Sequence, residues 1–312
     1  MRIAFLGLGG VGGYFGAKLS RQFGSSAAGN QTEVVFLARE KTAAAIRANG
    51  IRLITPEEEF VAHPHLVVTP GEACPAIDFL ICAVKSYDLE ESLQQFSNCI
   101  SPQTIILPLL NGIDAEEKIR VMFPRNEVWS GCVYIVSRNT APGVVTETGN
   151  IHRLHVGGNN PRKTTELYSI LKESHTDIFL HENIRDVVWE KFIFISTLAS
   201  LTSYLDICIG KILEHPANRK LLENLIEEIC TVARAEKIVL PGDIISTTLE
   251  KMGKLPYETT SSMHSDFQRG GKTEYHSLTA YVMKLAEFHA LNIPVYGKIL
   301  AGLELRSRLA LR

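Results

Sequence analysis

The chain has no run of about 18 consecutive apolar residues, so no segment of it reads as a membrane-spanning helix. Neither sign of charge dominates. There are 32 Lys and Arg against 34 Asp and Glu, a net charge of −2, and that leaves no bulk field to draw nucleic acid or an anionic membrane. Cysteine is sparse. The six, Cys74, Cys82, Cys99, Cys132, Cys208 and Cys230, contain no pair two or three apart, which excludes zinc-ribbon and thioredoxin-type motifs and reads as reduced thiols. There is no G-x-S-x-G turn for a hydrolase nucleophile. No metal site is expected: His63 and His65 read as loop, and His152 and His155, three apart in strand-like sequence, point to opposite faces. The opening residues imitate a signal peptide, but glycines at 7, 9, 10, 12, 13 and 16 are too dense for a helical apolar core. A cytoplasmic protein is the expectation.

What is present is the balance of a globular protein rather than a disordered one. Apolar residues make up 45% and charged residues 21% of 312, enough chain for two domains with sizeable cores. The first half alternates apolar runs with helical patterns. Strands are read at Arg2 to Gly7, Glu33 to Arg39, Asp78 to Lys85 and Thr104 to Leu110. Helices are read at Tyr14 to Phe23, Lys41 to Asn49 and Leu89 to Phe96. The runs are continuously apolar rather than alternating, as expected for a parallel sheet covered on both faces. The polar stretch Ser25 to Thr32 reads as a surface loop. More β-like segments follow at Val128 to Ser137, Val144 to Thr148 and Ile151 to Gly157. From about residue 162 helical patterns take over, at Lys163–Ser174, Asn183–Leu205, Ala217–Glu236, Pro241–Met252 and Thr273–Leu291. The expected fold is α/β: a Rossmann-type doubly wound sheet over residues 1–182, then a mainly helical domain over 183–312. The amphipathic C-terminal helices suit either a homodimer or the completion of a monomer's core.

The N-terminal string Gly7-Leu8-Gly9-Gly10-Val11-Gly12 matches G-x-G-x-x-G between a strand and a helix. Gly7 permits the tight turn, Gly9 close approach of the backbone to a diphosphate, and Gly12 close packing of helix on strand. The helix start supplies unpaired N–H groups and partial positive charge. The end of the second strand selects the cofactor. Arg39 can fork onto a 2′-phosphate and predicts NADP; Glu40, one residue on, could instead accept from a ribose hydroxyl and would predict NAD.

Three other segments draw attention. Lys85, in Ala83-Val84-Lys85-Ser86-Tyr87, and Asn111, in Leu110-Asn111-Gly112-Ile113, both follow presumed parallel strands, where open α/β sheets bind ligands. Each could also be no more than a solvated loop residue or a turn. Lys191, in Trp189-Glu190-Lys191-Phe192, lies on an apolar helical stripe with Val188, Ile195 and Leu198. It either snorkels to water or is partly buried, and burial would lower its pKa and poise it for proton transfer.

Together with Ser261-Ser262-Met263 and Thr273-Glu274, these segments resemble the ketopantoate reductase (2-dehydropantoate 2-reductase) family along essentially the whole chain. The resemblance implies a Rossmann domain joined to a helical one, a site in the cleft between them, and reduction of a 2-keto acid to a 2-hydroxy acid with NADPH. It makes Lys191 the proton donor and Glu274 its acidic partner in the site. It makes Ser262 a substrate contact, Asn111 a neighbour of both nicotinamide and substrate, and Lys85 a cofactor-side lysine. With Gly7, Gly9, Gly10, Val11, Gly12 and Arg39 these form the candidate site, and a small keto acid is the expected partner.

The chain departs from the family pattern at specific places. Asparagines four and eight residues beyond the lysine, and another further on, are replaced by Ile195, Ala199 and Ile209. Gly270 is followed by Gly271 where the family often has arginine. A pocket that loses its amides loses discrimination in favour of a hydroxylated substrate. Thr197, Thr202 and Ser203 are candidates to replace them. Three readings follow: a ketopantoate reductase, a reductase of a less polar keto substrate, or an NADP-binding sensor without turnover. Retention of Lys191 and Glu274 argues against the last.

Overall fold

A computed structural model describes residues 1–24 and 32–310; the polar loop read at Ser25 to Thr32 lies outside them except for Thr32. By contacts the chain forms two compact units. One comprises residues 1–110 and 115–184, the other residues 111–114 and 185–312.

The first unit is built on five parallel strands: β1 (Arg2–Leu6), β2 (Glu33–Leu37), β5 (Leu66–Val68), β6 (Phe79–Cys82) and β7 (Ile105–Pro108). Their spatial order is β5-β2-β1-β6-β7, with pairings such as Phe5 with Phe36 and Ile81. The chain leaves β1 in one direction and returns to its other side with β6. That reversal of strand order marks the place where such sheets receive ligands.

Continuous apolarity of the strands has the expected cause. Ile3 and Phe5 enter one core and Ala4 and Leu6 another, on opposite faces of the sheet. The second core is closed by α3 (Leu89–Gln95) and α4 (Ala115–Met122). The first is closed by α1 (Gly10–Phe23) and by a second, mixed sheet that the sequence reading did not resolve. Its strands are β3 (Ile51–Ile54), β4 (Glu59–Ala62), β8 (Ser130–Ala141), β9 (Val144–Gly157) and β10 (Asp177–Leu180). Their order is β10-β9-β3-β4, with β8 also paired to β9. Lying between two sheets, α1 buries Tyr14, Phe15, Ala17, Leu19 and Phe23, more than a surface helix would. The unit is completed by α2 (Glu40–Asn49) and α5 (Pro161–Glu173).

The second unit packs α6 (Ile184–Leu205), α7 (Ile209–Glu214), α8 (Pro216–Ala235), α9 (Ile244–Gly253), α10 (Ser262–Gln268), α11 (Tyr281–Phe288) and α12 (Pro294–Ala310) around one apolar core. The stripe Leu222, Leu225, Ile226, Ile229 and Ala233 of α8 is fully buried at helical spacing. Ser196, Thr197, Ser200, Thr202 and Ser203 of α6 are all completely buried too, so this helix carries hydroxyls into the core. The single helix read at Thr273–Leu291 is corrected. A π turn occupies His276–Ala280, and α11 ends at Phe288. The sequence reading also passed over α12, whose first N–H groups, from Val295 and Tyr296, are capped by the Glu228 carboxylate at 2.9 and 2.8 Å. Among the described residues no helix is long and apolar enough to cross a membrane.

Candidate active site

Within the first unit the candidate residues gather at the carboxyl ends of β1, β2 and β6. Gly7 follows β1 with φ +92°. A Cβ there would lie 2.7 Å from the Val84 backbone nitrogen, so both conformation and space require glycine. A Cβ on Gly12 would stand 2.0 Å from the Gly7 carbonyl oxygen, which is the close helix–strand packing the motif demands. Gly9 differs: nothing lies within 4 Å of where its Cβ would be. It is the N-cap of α1, no side chain caps the helix, and no acidic residue stands in the first turn. The turn therefore offers backbone N–H groups and open space together, as a diphosphate requires.

Gly10 has a reason of its own, since a Cβ would meet the Ser137 carbonyl oxygen at 2.2 Å. Val11 is half-buried against the inter-sheet core. Asn139, which the sequence reading did not single out, donates its amide to the Leu8 carbonyl at 2.9 Å and pins the glycine turn from β8. Nothing in its local sequence signals this, because the bond spans 131 residues.

Arg39 does not end β2. The strand stops at Leu37, and Arg39 is the exposed N-cap of α2. Its carbonyl accepts from Thr42 and Ala43 N–H, which leaves the guanidinium to project from a fixed backbone. It reaches within 3.8 Å of Asp88. Asp88 closes the 3-10 turn Ser86–Asp88, whose N-cap is the half-buried Lys85. Arg39 and the Lys85 loop are thus neighbours. Glu40, the rival residue for the cofactor ribose, opens α2 as its first helical residue. A carboxylate is favoured there by the helix dipole whether or not a ligand is present.

Within the second unit Lys191 and Asn111, 80 residues apart, meet directly. Lys191 Nζ donates to Asn111 Oδ1 at 3.0 Å. Lys191 is half-buried. Asn111 begins a turn with Gly112 at φ +101°, and Asp114, 4% exposed, accepts from Ser277 Oγ at 2.7 Å. Glu274 is 2% exposed, and its carbonyl takes the N–H groups of Ser277 and Leu278.

Ser262 is exposed at the first position of α10. Its neighbour Ser261 is the buried one, accepting from the His264 N–H at 3.0 Å and lying 3.3 Å from Thr202 Oγ1. Thr197 and Thr202 turn their hydroxyls back on their own helix. Each has one hydroxyl proton, and it goes to a carbonyl one turn back, Ile193 or Leu198, at 2.7 Å. Ser203 is fully buried in the same helix. Ala199 and Ile209 belong to the apolar core, with Ile195 packed on its margin. His152 and His155 take separate partners, Asp177 and His181, and His65 accepts from the Val34 N–H.

Comparison with known proteins gives this geometry a family. Residues 3–161 match the model "Ketopantoate reductase PanE/ApbA" and residues 183–306 its C-terminal counterpart. The chain belongs to the ketopantoate reductase family. A family member of known structure, the 2-dehydropantoate 2-reductase of Porphyromonas gingivalis W83, is 32% identical with a TM-score of 0.83, over 97% of this chain and 99% of that one. The uncharacterized oxidoreductase YkpB of Bacillus subtilis (strain 168) is 29% identical over 98% of both chains. A D-mandelate dehydrogenase solved with NADH and anilino(oxo)acetate shares the fold at 21% identity, TM-score 0.86, over 100% of both chains. The α/β reading with a Rossmann-type sheet and a helical C-terminal region is that of ketopantoate reductases, an oxidoreductase family.

Proposed function

We propose that the protein is an NADPH-dependent reductase of 2-keto acids, with 2-dehydropantoate, reduced to pantoate, as the leading substrate. The observation that carries the reading is the hydrogen bond from Lys191 Nζ to Asn111 Oδ1. An ammonium has three donors; giving one to a fixed amide orients the others and keeps the charge in place.

The residues present suit a dinucleotide. The open first turn of α1 at Gly9 would hold the diphosphate, Arg39 the 2′-phosphate, and Lys85 would add positive charge on the same side. A nicotinamide held there would supply hydride-transfer chemistry. As the carbonyl oxygen gains negative charge, the Lys191 ammonium stabilises it and then delivers the proton. Asn111 holds Lys191 in line. Glu274 provides the buried carboxylate that orients the ammonium or a substrate hydroxyl. Ser262, exposed at the first position of α10, would donate its hydroxyl to the substrate carboxylate.

A second reading keeps the chemistry and changes the substrate. Ala199 and Ile209 are buried in apolar packing, with Ile195 beside them, and the nearby threonine hydroxyls are committed to their own helix. This favours a keto acid with an apolar side chain. The deciding experiment is NADPH oxidation against a panel of 2-keto acids that includes 2-dehydropantoate and aromatic and branched aliphatic members. Replacing Lys191 by alanine should lower kcat by about 10²–10⁴-fold with NADPH binding nearly intact. Unchanged turnover in that variant removes Lys191 from the mechanism, and inactivity on the whole panel removes the reductase reading.

A further inference from the structure

The π turn His276–Ala280 lies two residues beyond Glu274, and π turns concentrate at functional sites because the extra residue breaks the regular helical ladder. Here two side-chain hydroxyls and one backbone carbonyl of the turn bond to other segments. Ser277 Oγ donates to Asp114 Oδ2 at 2.7 Å. The Leu278 carbonyl accepts from Ser196 Oγ at 2.5 Å, and Thr279 Oγ1 pairs with Ser200 Oγ at 2.7 Å. Ser196 and Ser200 stand one turn apart on α6, the helix that carries Lys191. Asp114 is three residues beyond Asn111. One turn is therefore bonded to the segments that bear Lys191 and Asn111, and it begins two residues after Glu274.

The contact on the Asn111 side is close. A Cβ on Gly112 would fall 3.2 Å from Ser277 Cβ and 3.0 Å from Asp114 Oδ1. Asp114 and Ser277 are 4% and 1% exposed. A buried carboxylate depends on its donors, and the Ser277 hydroxyl is one that Asp114 has.

We propose that Ser277 is a positioning residue: through Asp114 it sets Asn111 Oδ1 against Lys191 Nζ and so directs the ammonium. The proposal rests on the reading of Lys191 as proton donor, because a lysine has four rotatable side-chain bonds and a displacement of about 1 Å can cost on the order of 10²-fold in rate. It differs from simple packing in one respect, namely that the effect of Ser277 must pass through Asn111.

The test compares full-length wild type, Ser277→Ala, Asn111→Ala and the double variant. Two quantities are read: kcat and KM with NADPH and the best keto acid of the panel, and the rate at which trinitrobenzenesulfonate modifies Lys191, followed by peptide mass mapping at one pH without substrate. Ser277→Ala should lower kcat roughly 10–100-fold, leave KM for NADPH within about two-fold, and speed modification of Lys191. The double variant should match Asn111→Ala alone, because the two residues act in series. Wild-type kcat and labelling in folded Ser277→Ala, or effects that multiply with those of Asn111→Ala, would overturn the proposal. If Ser277→Ala does not fold, Ser277→Cys, similar in size but a weak donor, takes its place with the same expected directions. If wild type reduces no keto acid, the functional reading fails while the labelling comparison still decides the role of Ser277.

Discussion

Gly112 holds φ +101° where its Cβ would press on Asp114 and Ser277. Gly112→Ala should therefore lose roughly 1–3 kcal/mol of stability from backbone strain, read by chemical denaturation, and should lower kcat because Asn111 begins the same turn. A variant as stable and as active as wild type would mean the turn adapts freely. At Arg39 the issue is cofactor choice. Hydrogen bonds to a charged group contribute about 1.5–3 kcal/mol, so Arg39→Ala should weaken NADPH by roughly 10–100-fold and NADH little, in a fluorescence titration. Equal weakening of both would contradict a 2′-phosphate role. The glycines and Lys191 were legible as residues because their chemistry is tied to type: no other residue tolerates the Gly7 geometry, and a lysine on an apolar stripe demands an explanation. Asn139, Asp114 and Ser277 were not. A polar residue of common type acquires meaning only from a partner far away in the chain.

Asp206 follows the last residue of α6 and adopts φ +58°, a left-handed position that Asp tolerates just beyond a helix C-terminus. Its Oδ1 receives Arg306 Nη2 at 2.9 Å, pairs with His264 Nε2 at 2.7 Å, and also accepts from Gln268. This ties α6 to α10 and α12. Burial would raise this carboxyl, but hydrogen bonds and charge from Arg306 and His264 outweigh it and hold the group below the ordinary carboxylate value. A carboxyl with a depressed pKa in the folded state contributes stability that is complete above its unfolded value, about 3.9. That stability is lost as pH falls through the lower folded value. Asp206→Asn should thus lower the melting temperature at neutral pH and flatten its decline on the acid side of about pH 4, in thermal scans taken stepwise from neutral to acid. Equal acid slopes in both proteins would remove Asp206 from the acid sensitivity. At this scale the sequence resolved continuously apolar strands such as β1 and β6, and helices with strong periodicity such as α8. It passed over β3, β4, β5 and β10, short strands that each include exposed positions, whereas β6 is buried throughout. It merged the π turn with α11, because both carry the same apolar spacing.

The two compact units divide the proposed labour: the glycine turn and Arg39 belong to one, and Lys191, Asn111 and Glu274 to the other. Ligand that binds only the folded state stabilises it by about 2.7 kcal/mol at a hundredfold excess over Kd. NADPH should then raise the thermal midpoint more than an equal concentration of NADH, and it should do so equally well in Lys191→Ala, which alters only the second unit. A shift that disappears in that variant would show that the lysine holds cofactor rather than acting on substrate.

The amino-acid sequence alone determined the parallel sheet, the dinucleotide-type turn and the family, because each rests on local periodicity or on residue types at fixed short spacing. Only the tertiary structure decided that α1 lies between two sheets, that Lys191 faces Asn111, and that Ser277 reaches Asp114. Those facts depend on which distant segments come together, and hydrogen bonds that span 80 to 163 residues leave no periodic trace in the chain.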